Sequence, residues 1–267
     1  MNEAMNDGKT SPPRVDYREW SRRWDAQQTF LVVRREERFR VMFDSAHEVL
    51  GRAPARILDL ACGTGDVARR ALDRFPEARV VGLDADPLLL AIARGAHGDA
   101  GGRARWVRAD LRERDWPSAI EAPGAFDLVV TSTALHWLPT SALVAVYHST
   151  HALLAPGGVL ANADVIPPSG GERLARAADA LRSRAARQAQ AASTGERYAE
   201  WWEAVAREPG LADVSGERAR LFEDHPEALD LPDEWRHLTA LREAGFVEAG
   251  VVWRFFDYGV VVGLKGG

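Results

Sequence analysis

The sequence predicts a doubly wound α/β fold on a seven-stranded sheet whose last strand runs antiparallel. Three observations predict it. Short apolar runs alternate with amphipathic helical stretches from about Arg56 to Asp164, the rhythm of parallel strands buried on both faces with crossover helices between them. Four aspartates, Asp59, Asp84, Asp110 and Asp164, fall at the ends of such runs. The first run leads into the small-residue loop "ACGTG", and ligands of open α/β sheets sit at the carboxyl ends of strands.

Each element follows in order. Residues 1–14 read as a polar, disordered tail, with no apolar stretch of signal-peptide type. Residues 15–50 read as helical: Phe30, Val33, Val41 and Met42 recur at helical spacing, and "GRAP" stops the pattern. "RILDL" is the first strand. "DVARRALDRF" is a helix with Val67, Ala71, Leu72 and Phe75 on one stripe. "RVVGLD" is the second strand, and "PLLLAIARGA" opens with Pro87 at the first helical position. "ARWVRAD" is the third strand, ending at Asp110, and "FDLVVTST" the fourth. "SALVAVYHSTHALL" is a helix stopped by "APGG", and "GVLANAD" is the fifth strand. Residues 167–232 break the alternation and read as a helical insertion. It contains "ERLARAADALRSRAARQAQAA" and "ERYAEWWEAVA" as helices, with "EPGLADVSGE" and "HPEALDLP" as loops. "DEWRHLTALREAG" is a last helix stopped by Gly245. "VEAGVVWRF" and "YGVVVGLK" close the chain as an antiparallel hairpin. Residues 15–267 are thus expected to form one domain, with 15–50 as a lid and 167–232 as a substrate cap.

Composition narrows the function. The 267 residues carry a net charge of -5, with 46% apolar and 27% charged residues, as in an ordinary globular protein. Mild acidity argues against a nucleic-acid partner. No apolar run reaches the roughly 18 residues of a membrane span. A lone cysteine, Cys62, excludes an intrachain disulfide and fits a cytoplasmic setting. The expected partner is a small molecule; oligomeric state is not encoded in any motif.

"ACGTG" needs small residues where backbone approaches a ligand, and the helix beginning at Asp66 adds its positive dipole end. A dinucleotide loop reads G-x-G-x-x-G; this one reads A-x-G-x-G. Asp84 lies about twenty residues on, where an acceptor for a ribose diol belongs, and one carboxylate can accept from two hydroxyls. With "DLACGTG", "GLDADP", "RADL", "FDLVVTSTALHWL" and "LLAPGG" in this order, the chain resembles the class I S-adenosylmethionine-dependent methyltransferases. Their loop reads D/E-x-G-x-G-x-G, and Ala61 replaces its first glycine. The resemblance spans Arg56–Asp164 and Asp233–Lys265. "ALHWL" and "GGVLANAD" are most similar to small-molecule enzymes of the trans-aconitate type.

The resemblance implies a Rossmann-like sheet, S-adenosylmethionine as cofactor and S-adenosylhomocysteine as product. It places Asp59, Ala61, Gly63 and Gly65 around the methionine part, Asp84 on the ribose and Ala85 beside the adenine. It puts Asp110 on the adenine amino group, the Leu111 amide on a ring nitrogen, and Thr131 or Ser132 below the methionine amine. Arg38, in "REERFR", is expected to pair with the cofactor carboxylate; the competing reading is a solvated charged face.

Methyl transfer from a sulfonium is an in-line displacement, in which alignment at about 3–3.5 Å supplies much of the rate. A general base helps only a protonated nucleophile. His136, just after the fourth strand, is the candidate catalytic residue, as base or as carboxylate holder; the competing role is structural. Trp20, Trp24, Trp137 and Trp202 are candidate substrate walls, or else rings that stitch helices to the core. His148 and His151 lack a third metal ligand, so no metal is expected. Cys62 is expected to be only a small loop residue. "TSTA" stands where DNA-base N-methylating relatives carry N/D-P-P-Y/F. The expected function is methylation of a small molecule, weakly favouring oxygen. The alternatives are cofactor-dependent cyclisation or rearrangement, a ligand-bound scaffold, RNA methylation and, last, nicotinamide oxidoreduction.

Overall fold

The computed structural model describes residues 15–120, 126–192, 195–223 and 231–267. Its strands are β1 (Arg56–Leu60), β2 (Arg79–Asp84), β3 (Ala104–Arg108), β4 (Phe126–Ser132), β5 (Leu154–Val165), β6 (Phe246–Phe255) and β7 (Tyr258–Lys265). They form one sheet in the order β3-β2-β1-β4-β5-β7-β6. The first five run parallel, and β7 is antiparallel to both β5 and β6. Strand order reverses between β1 and β4, which opens a crevice at their carboxyl ends.

The helices are α1 (Tyr17–Leu31), α2 (Arg35–Leu50), α3 (Asp66–Arg74), α4 (Pro87–His97), α5 (Thr140–Leu153), α6 (Glu172–Ala191), α7 (Tyr198–Ala206), α8 (Ala212–Phe222) and α9 (Glu234–Glu243). Successive strand residues point to opposite faces. Leu58, Leu60, Val129, Leu160 and Val261 pack under Leu143, Tyr147 and Leu241 of α5 and α9. Ile57, Val80, Leu128, Val130 and Ala161 pack under Phe39, Met42, Phe43, Ala68 and Ala71 of α2 and α3. The inner strands β1, β4, β5 and β7 are apolar on both sides for that reason. Among the described residues no helix is long and apolar enough to cross a membrane.

Four sequence expectations need correction. Residues 15–50 form two helices. Val32 is extended and 2% exposed, and Arg34 takes the left-handed conformation at φ 59°. The break lets α2 lie on β5 and β7 while α1 packs against α4, α6 and α7. β3 ends at Arg108, so Asp110 lies in the following turn. β5 begins at Leu154, ahead of "GVLANAD", and takes in "APGG", with a register irregularity opposite Phe126–Leu128. "EPGLADVSGE" is not a loop: a 3-10 turn at Pro209–Leu211 leads into α8. Gly216 inside that helix weakens its local signal. The expected tail and most of "HPEALDLP", with His225, lie outside the described residues.

Candidate functional site

The loop after β1 is built on left-handed backbone. Ala61 has φ 55°, Gly63 φ 55° and Gly65 φ 86°. A side chain costs roughly 1–2 kcal/mol in that region, which explains why glycine belongs at these places and marks Ala61 as the strained member. Gly65 has a second reason: a Cβ there would stand 2.6 Å from the Trp106 ring and 2.9 Å from His97. Gly63 is free of such crowding, since its Cβ would meet only Leu89 at 3.9 Å. Backbone conformation, not space, requires it.

Asp84 has a structural task that its spacing did not reveal. Its Oδ2 accepts from the Gly63 amide at 2.7 Å, and its Oδ1 accepts from the Asp86 amide at 2.8 Å. It thereby fastens the β1 loop to the end of β2. Each oxygen keeps a further acceptor direction. Burial pushes its carboxyl up to about 6. Asp59 is 1% exposed with both carboxylate oxygens buried; the Ala68 amide faces it and works to lower its pKa, and burial outweighs that and raises it well above the usual range.

Asp110 departs from expectation. Arg112 grips its carboxylate with the guanidinium, and its Oδ1 also accepts from the Arg112 amide at 2.9 Å. The carboxylate that was to meet an adenine amino group already carries a bidentate partner. Leu111 beside it is buried in the core under the sheet, and Ala85 is half-buried after Asp84.

The other side of the crevice centres on Arg38, which α2 carries to the ends of β4 and β5 with none of its surface exposed. Its Nη2 donates to Ser132 Oγ at 3.1 Å and Thr133 Oγ1 at 2.6 Å. Its Nε and Nη1 have no partner among the described residues. Burial lowers its pKa to about 10, so it stays charged at neutral pH. Its guanidinium lies 5.1 Å from the Tyr258 ring centre. Thr131 is fully buried, and its Oγ1 has no partner among the described residues. The solvated-face reading of Arg38 is excluded by its burial.

His136 and Asp164 form a dyad that sequence reasoning missed. The Nδ1 of His136 lies 2.6 Å from Asp164 Oδ1, and Asp164 Oδ2 accepts from the His136 amide at 3.1 Å. Asp164 is fully buried, yet its pKa is lowered: burial works to raise it, and the facing imidazole outweighs that. The signal was present in the pairing of β4 with β5, which sets the residues after one beside the end of the other. A hydrogen-bonded Nδ1 fixes the ring and aims Nε2 away from the carboxylate.

The tryptophans divide. Trp20 is 7% exposed and Trp201 is fully buried. With Trp24 and Trp202 they make edge-to-face contacts at 4.7–5.9 Å, and the cluster packs on Leu88, Leu89 and Ile92 of α4. Trp20 therefore joins α1 to α7 and presents no free wall, a correction to its expected role. Trp24 and Trp202 are half-buried in the same cluster. Trp137 differs: the residue is 54% exposed, and its ring stands 4.9 Å from that of His136. Among the described residues no three His, Cys, Asp or Glu side chains converge as metal ligands. Burial pushes the Cys62 thiol well above its usual pKa, which suppresses the nucleophilic thiolate.

The donor set fits a zwitterionic nucleoside ligand. A buried carboxylate with acceptor capacity left beyond the facing Ala68 amide, Asp59, lies on one side; a buried cation with N–H directions unfilled among the described residues, Arg38, lies on the other. A carboxylate with spare acceptor capacity, Asp84, stands at the adjacent strand end. Unpaired buried polar groups are costly, and a ligand carrying an amine, a carboxylate and a diol answers them.

Comparison with known proteins agrees. Residues 57–158 match the family model of a methyltransferase domain. Trans-aconitate 2-methyltransferases of Streptomyces avermitilis and Azoarcus sp. are each 37% identical over 142 residues, 52% of this chain and 49% of theirs. A demethylmenaquinone methyltransferase of Thermus thermophilus is 40% identical over 124 residues, 46% of this chain and 52% of its own. The chain thus spans about half the length of the curated relatives it matches. Among solved structures, an O-methyltransferase family protein of Burkholderia thailandensis superposes with a TM-score of 0.54 at 20% identity, covering 85% of this chain and 55% of that one. Human N-acetylserotonin methyltransferase, solved with S-adenosylmethionine, gives 0.53 at 14% identity, covering 94% and 58%. At such identities the likeness concerns the fold.

Proposed function

We propose that this chain, whose residues 57–158 match the model of a methyltransferase domain, is a class I S-adenosylmethionine-dependent methyltransferase that methylates a hydroxyl of a small molecule. The observation that carries the acceptor reading is the His136–Asp164 pair at 2.6 Å. When bound, the cofactor supplies an electrophilic methyl on a sulfonium. Asp59 and Arg38 would hold the amine and carboxylate of its amino-acid end, with Ser132 and Thr133 steadying Arg38. Asp84 would take the ribose hydroxyls. Asp110 would reach the adenine only by sharing its carboxylate with Arg112.

A hydroxyl is a poor nucleophile until it sheds its proton. His136 Nε2 would take that proton, and buried Asp164 would stabilise the imidazolium that results. Trp137, exposed beside the imidazole, would form one wall for the acceptor. The N-terminal helices and residues 167–232 would act as lid and cap. A second reading is supported by the same buried Asp164: an imidazolium held by that carboxylate could bind an acceptor carboxylate, which needs no base. The curated relatives named for trans-aconitate favour weighing it.

The test has two stages. Calorimetric titration of S-adenosylhomocysteine into wild type and Asp84→Ala should show binding that weakens about tenfold or more in the variant. Small hydroxyl and carboxyl acceptors are then screened with wild type, His136→Ala and Asp164→Asn. A base role predicts kcat lowered by about 10²–10⁴ in His136→Ala, with an acid limb in the kcat profile that the variant loses. A rise in KM at unchanged kcat would favour the carboxylate-holding role instead.

A further inference from the structure

We propose that Arg218 of α8 is a positioning residue that latches the inserted helices onto the turn presenting Asp84, so that release of the cofactor requires α8 to lift. The inference rests on the cofactor reading above and assigns a task to a helix whose sequence carries no motif.

The contacts form one continuous path. Asp84 Oδ1 accepts from the Asp86 amide at 2.8 Å. The Asp86 side chain, 3% exposed, divides its two oxygens. Its Oδ1 caps α4 by accepting from the Leu88 and Leu89 amides at 2.9 and 3.2 Å. Its Oδ2 accepts from Arg218 Nε at 2.6 Å. The Arg218 guanidinium is held between rings, 3.8 Å from the centre of Trp202 on α7 and 5.1 Å from Phe222 on α8. Phe222 also faces the guanidinium of Arg112 at 5.8 Å, the same Arg112 that grips Asp110. The acid at the end of β2 and the acid in the turn after β3 are therefore both tied to α8, through Asp86–Arg218 and through Arg112–Phe222.

The chemistry of this attachment favours reversible closure. α8 buries none of its residues fully, and its apolar hold is confined to Val214 and the preceding Leu211 at its N-terminal end, so little apolar surface holds down the rest of it. An ion pair with one carboxylate desolvated is short-ranged and directional; it holds in one geometry and is lost as a unit. A cation between aromatic faces adds to it while both rings are in place. Breaking the Arg218 contact would free α8 and leave Asp86 still capping α4, so the β2 turn keeps its shape. A latch of this kind slows departure of a bound ligand more than its arrival.

The experiment loads full-length protein with tritiated S-adenosylhomocysteine and chases it with excess unlabelled ligand. Wild type is compared with Arg218→Ala, Asp86→Asn and Glu217→Gln, a variant on the same helix that keeps an oxygen for the half-exposed partner Arg108. Asp86→Asn keeps an oxygen for the α4 cap and removes the charge. The expected result is release about tenfold faster in Arg218→Ala and in Asp86→Asn, the loss of one charge-assisted hydrogen bond. Association rates should change by about twofold or less, and Glu217→Gln should match wild type. Trypsin should also cut within α8 faster in Asp86→Asn, which keeps both arginines of that helix, without ligand. Wild-type release rates in both latch variants, with ligand bound normally, would overturn the latch alone. Failure of wild type to retain the ligand would overturn the cofactor reading and the latch with it.

Discussion

The sheet with its flanking helices and the set of inserted helices are held by different forces. In the first, Leu58, Leu160, Val129 and Ile57 are sealed between sheet and helix with no exposed surface. In the second, α6 and α8 bury no residue fully. Among the described residues their ion pairs to the rest are Arg182 with Asp257, Arg218 with Asp86 and the more exposed Glu217 with Arg108, with the tryptophan cluster of α1 and α7 between them. Apolar burial is non-directional and grows with area, so it suits a platform that must not move. Ion pairs and ring contacts are few and geometric, which suits parts that must dock in one position and leave it.

The largest effect should come from the platform. Leu160→Ala removes a fully buried side chain in the sheet and is expected to cost about 2–5 kcal/mol, measured as the shift of a urea unfolding curve. A loss under about 1 kcal/mol would show that the sheet tolerates cavities and would weaken the contrast.

A middle effect sharpens the link between the two regions at Asp84. Burial raises its carboxyl to about 6 in the ligand-free protein. Hydroxyl donors of a bound ligand favour the ionised form, so binding lowers that value. Affinity for S-adenosylhomocysteine is then full at neutral pH and falls as pH drops through about 6, by up to about tenfold per unit. Calorimetry from about pH 7.5 down to about pH 5 checks it, and Asp84→Asn should flatten the curve. A wild-type curve as flat as the variant's would remove Asp84 from the binding site.

The smallest effect belongs to the rim of the inserted helices. Arg108 and Glu217 pair with both side chains more than two-fifths exposed. Glu217→Ala should change the unfolding free energy by less than about 1 kcal/mol, and raised salt should erase the difference. A larger cost would mean that surface pairs contribute to holding α8, which would blur the distinction between its latch and its edge.

Legibility in the sequence follows the same division. "RILDL", "RVVGLD" and "YGVVVGLK" match β1, β2 and β7 at both ends, because strands buried on both faces leave unbroken apolar runs. The hairpin of β6 and β7 and the cap at Gly245 were readable from turn residues. α8 was hidden because it has neither an apolar stripe nor a cap, and Gly216 interrupts it. Trp20 was misjudged because a tryptophan's count and position do not tell whether its ring faces a ligand or another ring.

By itself the sequence determined the sheet, the small-residue loop after β1 and the place of Asp59, Asp84 and Asp164 at or next to the strand ends, because period, residue size and strand-end position are local properties. Only the tertiary structure decided what those groups touch. It buried Arg38 beside Ser132 and Thr133, gave Asp110 to Arg112, set Asp164 against His136 and drew Arg218 onto Asp86. The paired residues lie 2 to 132 positions apart in the chain. Partnerships across most of that span depend on where strand order, helix direction and burial bring side chains together, and no local pattern records that.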